Sequence, residues 1–274
     1  MDIHMQWLGV AGFEFRFGNY TLLVDPFLTK PALRYVFGGR VRSNEVLLAK
    51  SVQSADFILV THAHFDHLMD VPEIAQRTGA RVIGSPNVIQ LLQVLQVSEK
   101  QIQVLHSGEI LPLPFGSVQA ILAKHPALPG YQSGKLPKNL KPPLRLRDYR
   151  MDDCFSYLIT IEKFKLLVWS STSIENALPA DAVFLRAVAS ADWYRKMIAA
   201  VRPRLIIPTH WDDMFQPIEK PVRPFFAPPG LSWPPIQRID LERFTNLIKQ
   251  AQPSSNVLIP ERLHTYQLME EMYK

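Results

Sequence analysis

The sequence predicts an α/β fold, in which strands alternate with helices along most of the chain. Short apolar runs bounded by turn residues recur as expected for buried strands, and the segments between several of them follow the helical period. The chain has 274 residues, 47% of them hydrophobic, which is enough for one large α/β domain or two small ones. No internal repeat interrupts the pattern, so we expect a single domain spanning residues 1–274.

The first half of the chain is read as strands and two helices. Gly and Asn at positions 18–19 supply a hairpin turn between two of the strands. One helix is expected from near Asp70 to Gly79, because Pro72 suits a first turn and glycine suits a helix end. A second follows Ser85, a good N-cap residue, and presents apolar residues on one face. The strands are expected at residues 5–8, 13–17, 20–24, 57–60, 81–84, 103–105 and 118–123.

The second half continues the alternation with more strands and two further helices. Residues 162–164 form a short connection between the first two of these strands, which favours an antiparallel pair. Helices are expected over residues 192–200 and 240–251, where the apolar period is helical. The strands are expected at residues 154–161, 165–169, 182–185, 205–207 and 257–259.

A dense group of metal-binding side chains follows the strand expected at residues 57–60. Residues 61–67 read Thr-His-Ala-His-Phe-Asp-His, so His62, His64, Asp66 and His67 lie within six positions. The first two histidines point the same way in an extended backbone, and a turn after Phe65 brings the other two side chains nearby. Imidazole together with carboxylate suits Zn²⁺ or a similar divalent ion. The sequence therefore predicts a metal site here.

Two isolated histidines, His125 and His210, each follow a predicted strand, where the loops of an α/β layer gather on one edge. Each also precedes a proline-rich stretch, residues 126–150 and 217–235, in which proline excludes a central strand or helix interior. Long irregular segments are commonly lids or binding loops. We therefore expect both histidines to join the metal site and both stretches to overhang it.

Charge is concentrated in one of these stretches. The chain carries 30 Lys and Arg against 25 Asp and Glu, a net charge of +5. Residues 135–150 alone hold six bases and one acid. A local patch favours an anionic small-molecule substrate or a solvated loop, whereas a nucleic-acid-binding protein more often has a long basic stripe. The six bases are Lys135, Lys138, Lys141, Arg145, Arg147 and Arg150.

The cysteine content and the lack of long apolar runs indicate where in the cell the protein is expected. The single cysteine, Cys154, lies in a strand-like run and is interpreted as a core residue, and one cysteine excludes an internal disulfide. The N-terminus lacks a basic and an apolar signal region, and no apolar run approaches the length of a membrane span. We expect a cytoplasmic protein without a membrane span, and the sequence is compatible with a homo-oligomer.

The motif formed by His62, His64, Asp66 and His67 is similar to the hallmark His-x-His-x-Asp-His of the metallo-β-lactamase fold superfamily. Residues 7–13 and 23–27 resemble the branch of Zn-dependent hydrolases that includes ascorbate-6-phosphate lactonase and N-acylphosphatidylethanolamine phospholipase D. The resemblance covers about residues 3–260. It implies a four-layer αββα sandwich with the site at one sheet edge.

The same resemblance implies how the ligands are shared between metals. One ion would take His62, His64 and His125, and a second would take Asp66, His67 and His210. The expected cofactor is Zn²⁺, as one or two ions, with Mn²⁺ or Fe²⁺ as alternatives. Asp66 is the expected catalytic residue, because a carboxylate beside a metal can orient or deprotonate the attacking water.

One position departs from the superfamily pattern. Members usually carry a metal-bridging Asp in a Gly-Asp-Thr motif after a later strand, and here Ser171 stands at that place. A neutral hydroxyl is a poor ligand for a hard dication and removes a negative charge. We therefore expect unequal occupancy, with the three-histidine centre better filled. Three acids close in sequence could supply the missing negative charge: Glu175, Asp212 and Asp213.

Three functions remain open at this point. The first is a metal-dependent hydrolase of a small-molecule ester, lactone, amide or phosphodiester. The second is a nuclease or phosphodiesterase of the same superfamily. Against it, the chain lacks room for the added nucleic-acid-binding domain that such enzymes often carry. The third is a metal-binding protein without hydrolytic turnover, suggested by Ser171.

Overall fold

Two seven-stranded β-sheets form the centre of the computed structural model, which describes residues 2–126, 131–227 and 237–274. The first sheet has the order β16-β1-β2-β3-β4-β5-β6, and the second has the order β15-β14-β13-β12-β11-β8-β7. A small parallel pair, β9 and β10, stands apart from both sheets. The strands are β1 His4–Gly9, β2 Gly12–Phe17, β3 Tyr20–Val24, β4 Phe57–Leu59, β5 Arg81–Gly84, β6 Ile102–Val104, β7 Ile110–Leu113, β8 Gly116–Ala123, β9 Gln132–Ser133, β10 Arg150–Met151, β11 Cys154–Ile161, β12 Phe164–Val168, β13 Ala182–Arg186, β14 Leu205–Thr209, β15 Asn256–Val257 and β16 Thr265–Gln267.

The core between the two sheets is built from alternate residues of facing strands. The ring of Phe184 on β13 meets Phe13 and Phe15 on β2 edge-on, with centroids 4.6 and 5.5 Å apart. Successive strand residues point to opposite faces, so this contact fixes which residues of each strand face the partner sheet. Tyr157 closes the interface at one end by donating a hydrogen bond to the carbonyl oxygen of Val60 at 2.8 Å.

Helices cover the outer face of each sheet. Leu48, Ile74 and Leu91 lie on α1, α3 and α4 and pack with the outward residues of the first sheet, while Tyr194 of α5 and Phe244 of α6 belong to the core of the second. This arrangement is the four-layer αββα sandwich that the resemblance predicted. The helices are α1 Glu45–Ser51, α2 Phe65–Leu68, α3 Val71–Thr78, α4 Pro86–Val94, α5 Ala191–Val201, α6 Leu241–Ala251 and α7 Leu268–Glu271.

Several helix ends follow the local sequence signals. The side chains of Ser190 and Asp240 accept hydrogen bonds from the backbone of α5 and α6, and Gly79 ends α3 with a positive φ of 79°. Ser85 occupies the N-cap position of α4 as predicted, but its hydroxyl makes no cap bond. It donates instead to Asp152 Oδ1 at 2.6 Å, and Asp152 Oδ2 accepts the Asn87 amide.

Several elements differ from the sequence prediction. The short elements α1, α2, β7, β9, β10, β16 and α7 were not predicted, and the strand expected at residues 257–259 pairs as β15 over Asn256–Val257. Pairing with a distant strand, rather than local propensity, creates strands of two or three residues. In the described residues, no helix is long and apolar enough to cross a membrane.

Candidate metal centre

The six predicted site residues lie at one edge of the sandwich, where strands of both sheets end. His62, His64, Asp66 and His67 follow β4 of the first sheet, and the last two lie in the short helix α2. His125 follows β8 and His210 follows β14, both in the second sheet. The Phe155 amide donates to the carbonyl oxygen of Thr61 at 2.8 Å, which ties the two sheets together at this edge. Carboxyl ends of strands therefore supply the site.

The structure brings all six side chains together in two adjacent groups. His62, His64 and His125 form one group and Asp66, His67 and His210 form the other, and within each group the candidate ligand atoms lie within 4.8 Å of one another. The groups are neighbours, since the ring centroids of His62 and His67 are 4.0 Å apart. This is the division that the resemblance implied.

The polar atoms that point into the groups suit a metal ion. In the part of the chain that the structure describes, His62 Nε2, His64 Nδ1 and Asp66 Oδ1 are buried and have no hydrogen-bond partner. Buried polar atoms are normally paired, because an unpaired one costs about 1–3 kcal/mol. Nitrogen and carboxylate oxygen are the donors that Zn²⁺ and Fe²⁺ accept. The residues therefore fit a divalent metal.

Four of the five histidines are also held by one ring nitrogen, two of them by a backbone carbonyl oxygen. His64 Nε2 lies 3.1 Å from the carbonyl oxygen of Gln132, and His125 Nδ1 lies 2.8 Å from that of Pro126. A carbonyl oxygen only accepts, so each of these nitrogens carries the proton and the opposite nitrogen keeps its lone pair. In both histidines the free lone pair belongs to the nitrogen that is not anchored, as metal-ligating histidines require.

Asp25 anchors the histidines of the first sheet. It lies at the end of β3, and its Oδ1 accepts the Thr61 amide at 2.7 Å while its Oδ2 accepts the Thr61 hydroxyl at 2.6 Å. Asp25 Oδ2 also lies 2.8 Å from His67 Nδ1, and Thr61 Oγ1 lies 3.0 Å from His62 Nδ1. Because the Thr61 hydroxyl donates to Asp25, its oxygen accepts from His62. One buried carboxylate thus orients a histidine in each group.

Replacing Asp25 with Asn should weaken metal binding by about 10- to 100-fold, the usual cost of losing a partner of a metal-ligating histidine. Asparagine keeps the shape but cannot accept on both sides, so either Thr61 or His67 loses its bond. Competition with a coloured chelator would measure the affinity. Asp56→Asn is the matched control, because Asp56 also accepts a backbone amide, that of Thr21 at 2.7 Å, at the opposite end of β4. Equal affinities in the two variants would contradict this role.

The electrostatics keep most of these imidazoles neutral. Burial lowers the pKa of His64 to about 3 and that of His125 to about 4, and burial also lowers the pKa of His62 and His210 well below the usual value. Burial acts in the same direction on His67, but the carboxylates of Asp25 and Asp66 outweigh it and raise its pKa. Neutral imidazoles with free lone pairs are ready to bind metal at neutral pH.

The metal-free protein should lose stability as the pH falls from about 6.5 to about 4. His64 and His125 have pKa values of about 3 and about 4 when folded, against about 6.5 when unfolded. In this range the unfolded chain binds protons that the folded chain does not, so stability rises with pH. The slope is about 1.4 kcal/mol per pH unit for each histidine.

Urea unfolding of the chelated protein at several pH values would measure this slope. Buried carboxyl groups such as Asp66 have a raised pKa and act in the opposite direction, so the comparison is between the natural chain and a His64→Asn, His125→Asn double variant. The variant should show a shallower loss of stability on acidification. Parallel curves would contradict the prediction.

Ser171 does not offer its oxygen to the site. Its side chain is 1% exposed, and Oγ accepts the backbone amides of Lys124 at 2.9 Å and Ser173 at 3.1 Å. A hydroxyl oxygen has two lone pairs, so both are used. Ser171 instead fixes the residue that precedes His125, and Thr172 adds two further bonds to the Lys124 carbonyl oxygen.

The three nearby acids have other partners in the structure. Glu175 is exposed and lies 3.4 Å from Lys124 Nζ, while Asp213 is bound by Arg223 at 2.6 Å. Asp212 is buried, pairs with Lys30, and accepts the Val10 amide at 2.8 Å. None of the three belongs to either group of candidate ligands.

The pair of Lys30 and Asp212 supports His210 through the backbone. Asp212 holds the Val10 amide, and the Val10 carbonyl oxygen accepts the His210 amide at 3.0 Å. Val10 and His210 both have positive φ angles, 52° and 53°, which non-glycine residues seldom adopt. The buried ion pair therefore holds a strained turn that presents His210 to the site.

Part of the first proline-rich stretch contacts the site, whereas the overhang predicted for residues 217–235 stays a prediction. Tyr131 stacks on Phe65 with centroids 5.6 Å apart, and its hydroxyl lies 3.4 Å from Asp66 Oδ2 and 3.1 Å from Met214 Sδ. Phe215, just before the second stretch, also stacks on Phe65 at 6.3 Å. Residues 127–130 and 228–236 lie outside the described residues. The bases of residues 135–150 have no hydrogen bond to a candidate ligand in the described part, and their substrate role stays a prediction.

Sequence reasoning assigned no role to Asp25, Thr61 or Tyr131. The signal for Asp25 was available: it directly follows β3, the parallel neighbour of β4, and carboxyl ends of adjacent parallel strands meet. Thr61 stands inside the histidine cluster, where its hydroxyl could have been assigned as a bridge. Tyr131 carries no such signal, because an irregular loop brings it to Asp66.

Comparisons with known proteins agree with this architecture. Residues 20–167, more than half of the chain, match the family model described as Beta-lactamase superfamily domain. A protein of Polynucleobacter asymbioticus described as a UPF0173 metal-dependent hydrolase is 26% identical over 227 residues, covering 76% of this chain and 73% of that protein.

Two solved structures share the fold at low sequence identity. Igni18, described as a novel metallo hydrolase from Ignicoccus hospitalis, has a TM-score of 0.63 at 16% identity and covers 97% of this chain and 98% of its own. CmlA of Streptomyces venezuelae, described as a diiron β-hydroxylase, has a TM-score of 0.59 at 16% identity and covers 97% of this chain and 54% of its own. At such identity the likeness concerns the fold alone.

Proposed function

The chain belongs to the β-lactamase superfamily and is a metal-dependent hydrolase, and from that premise we propose that it hydrolyses a small ester, lactone or phosphodiester. The proposed ligands are His62, His64 and His125 for one ion, with Asp66, His67 and His210 for a second. The proposed ion is Zn²⁺, with Fe²⁺ and Mn²⁺ as alternatives, and the lactonase and phospholipase branch stays a prediction.

The observation that carries this proposal is the set of anchored histidines. His64, His125 and His67 each bind a carbonyl or carboxylate oxygen through one ring nitrogen. Within the described residues, His64 Nδ1 and His62 Nε2 are buried without a hydrogen-bond partner. A polar loop without a metal would have no reason to bury unpaired nitrogens at this density. When bound there, a divalent ion lowers the pKa of water and polarises the bond to be cleaved.

Asp66 is the proposed catalytic base. Its Oδ2 lies near the Tyr131 hydroxyl at 3.4 Å, whereas its buried Oδ1 has no partner among the described residues. Burial raises the pKa of Asp66, although His67 acts to lower it, and a less acidic carboxylate is a better proton acceptor. With one carboxylate oxygen bound to the proposed ion, the other can orient a water and take its proton, while the Tyr131 hydroxyl helps to position the carboxylate.

Aromatic side chains restrict water around Asp66. Phe65 is buried beneath Tyr131 and Phe215, whose rings are nearly parallel to it at interplanar angles of 21° and 28°. A drier site strengthens every polar interaction within it, because the local dielectric constant falls. This favours attack by one held water on a small substrate.

A substrate panel would test the proposal. Protein loaded separately with Zn²⁺, Fe²⁺ or Mn²⁺ should hydrolyse at least one of three classes: aryl esters, lactones or aryl phosphodiesters. Asp66→Asn should lower kcat by about 10²- to 10⁴-fold, the usual contribution of a general base. Activity on phosphodiesters alone would favour the phosphodiesterase alternative. Full metal content with no turnover on any class would overturn the proposal and favour a metal-binding role.

A further inference from the structure

Arg186 stands at the metal edge of the second sheet. It is the last residue of β13 and lies opposite Thr209 of β14, the residue that precedes His210. Its backbone is fixed on both sides, since its carbonyl oxygen accepts the Tyr194 hydroxyl at 3.0 Å and the next amide, that of Ala187, donates to Thr209 at 3.1 Å. The side chain therefore starts from a rigid backbone position, opposite the residue that precedes the proposed ligand His210.

The guanidinium group of Arg186 is held at one edge only. Its Nε donates to the carbonyl oxygen of Val188 at 3.0 Å, and its Cζ lies over the ring of Trp193, 5.7 Å from the centroid. Trp193 is fixed in turn, because its Nε1 donates to the Thr172 carbonyl oxygen at 2.7 Å. This cradle orients the guanidinium and leaves its two terminal nitrogens for another partner.

No carboxylate neutralises Arg186 within the described residues, where it forms no salt bridge and its terminal nitrogens donate no hydrogen bond. Burial lowers the pKa of Arg186, and its positive charge contributes to lowering the pKa of both His125 and His210. His210, which follows the strand partner of Arg186, is a neutral imidazole and cannot balance the charge. A half-buried cation without a counter-ion is unfavourable until an anion joins it.

We propose that Arg186 is an anion subsite that binds a carboxylate or phosphate group of the substrate beside the metal edge. The planar fork of a guanidinium matches the paired oxygens of both groups, and the Trp193 cradle already holds it in one orientation. That the bound anion belongs to a substrate rests on the proposed function, whereas the capacity to bind an anion depends on Arg186 alone. It makes the favoured substrate a small anionic ester, lactone or phosphodiester.

Binding of inorganic phosphate to the metal-loaded protein tests the subsite without turnover. Arg186→Gln should weaken phosphate binding by about 10- to 100-fold, the range for hydrogen bonds lost to a charged group, and Arg186→Lys should restore part of it. Metal content is measured in every sample and should not change. Arg195→Gln is the matched control, since Arg195 is exposed and pairs with Asp192 on α5. Equal phosphate affinity in Arg186→Gln and the control would overturn the inference.

A pair of aryl esters, one neutral and one with a free carboxylate, separates the subsite from catalysis. Arg186→Gln should raise KM for the carboxylate ester by about tenfold or more and leave kcat for the neutral ester nearly unchanged. An equal loss on both esters, accompanied by lower metal content, would assign Arg186 a structural role and overturn the inference. If neither ester is cleaved but phosphate binding depends on Arg186, the proposed function fails and the anion subsite stands.

Discussion

Replacing His62 with alanine should abolish hydrolysis and leave the three-histidine group unable to hold metal. His62 is buried, its Nε2 has no other partner in the described part of the chain, and its ring lies 4.7 Å from both His64 and His125. Removing it leaves two ligands where a tetrahedral catalytic site needs three. We expect kcat/KM to fall by at least about 10³-fold, because losing the metal removes a large part of the rate acceleration, which is about 10⁶-fold or more in typical enzymes.

The measurement combines metal content with kcat/KM on whichever substrate class the natural chain hydrolyses. His106→Ala is the matched control, because His106 is exposed and its side chain has no hydrogen bond among the described residues. The control should retain metal and activity. Undiminished turnover by His62→Ala would remove this group from the catalytic centre and with it the proposed mechanism.

The natural chain should be isolated with one well-filled metal position, and Ser171→Asp should raise the content toward two ions. Without a bridging carboxylate, two dications would repel each other across the site with little compensation. Both lone pairs of Ser171 already bind backbone amides, and Glu175, Asp212 and Asp213 have other partners. We expect the group of His62, His64 and His125 to fill first, because three imidazoles and a water complete a tetrahedral site.

Aspartate can preserve what Ser171 does. One carboxylate oxygen can accept the Lys124 and Ser173 amides while the other is left for metal, whereas Ser171→Ala should lose about 1–3 kcal/mol of stability and gain no metal. Ser173→Asp adds the same charge two residues away and controls for general electrostatics. Elemental analysis gives the stoichiometry. Two fully occupied positions in the unmodified protein would contradict the argument.

The salt dependence of KM would test the role of the basic residues at 135–150. Their side chains and Arg186 are competing sources of attraction for an anionic substrate. The exposed lysines act through solvent, where salt screens them, whereas Arg186 is half-buried beside the proposed ligands. A KM that rises with salt even in Arg186→Gln would assign a long-range role to the basic stretch.

Local sequence determined the parts of this protein that depend on neighbours along the chain. The alternating strands and helices follow from period and turn residues. Four proposed ligands lie between residues 62 and 67, directly after β4, so residues 61–67 alone predict a metal site. His125 and His210 were assigned only beside the cluster at residues 61–67, because a single histidine after a strand has no chemical partner in its own segment.

Only the tertiary structure decided which distant groups complete the site. Asp25 meets Thr61 across 36 positions and His67 across 42, and Ser171 meets Lys124 across 47, because separate strands end at one edge. The same convergence places Arg186 opposite Thr209, the residue before His210, with no carboxylate partner among the described residues. Such contacts depend on strand order and register, which are fixed by the packing of whole sheets and not by any local pattern.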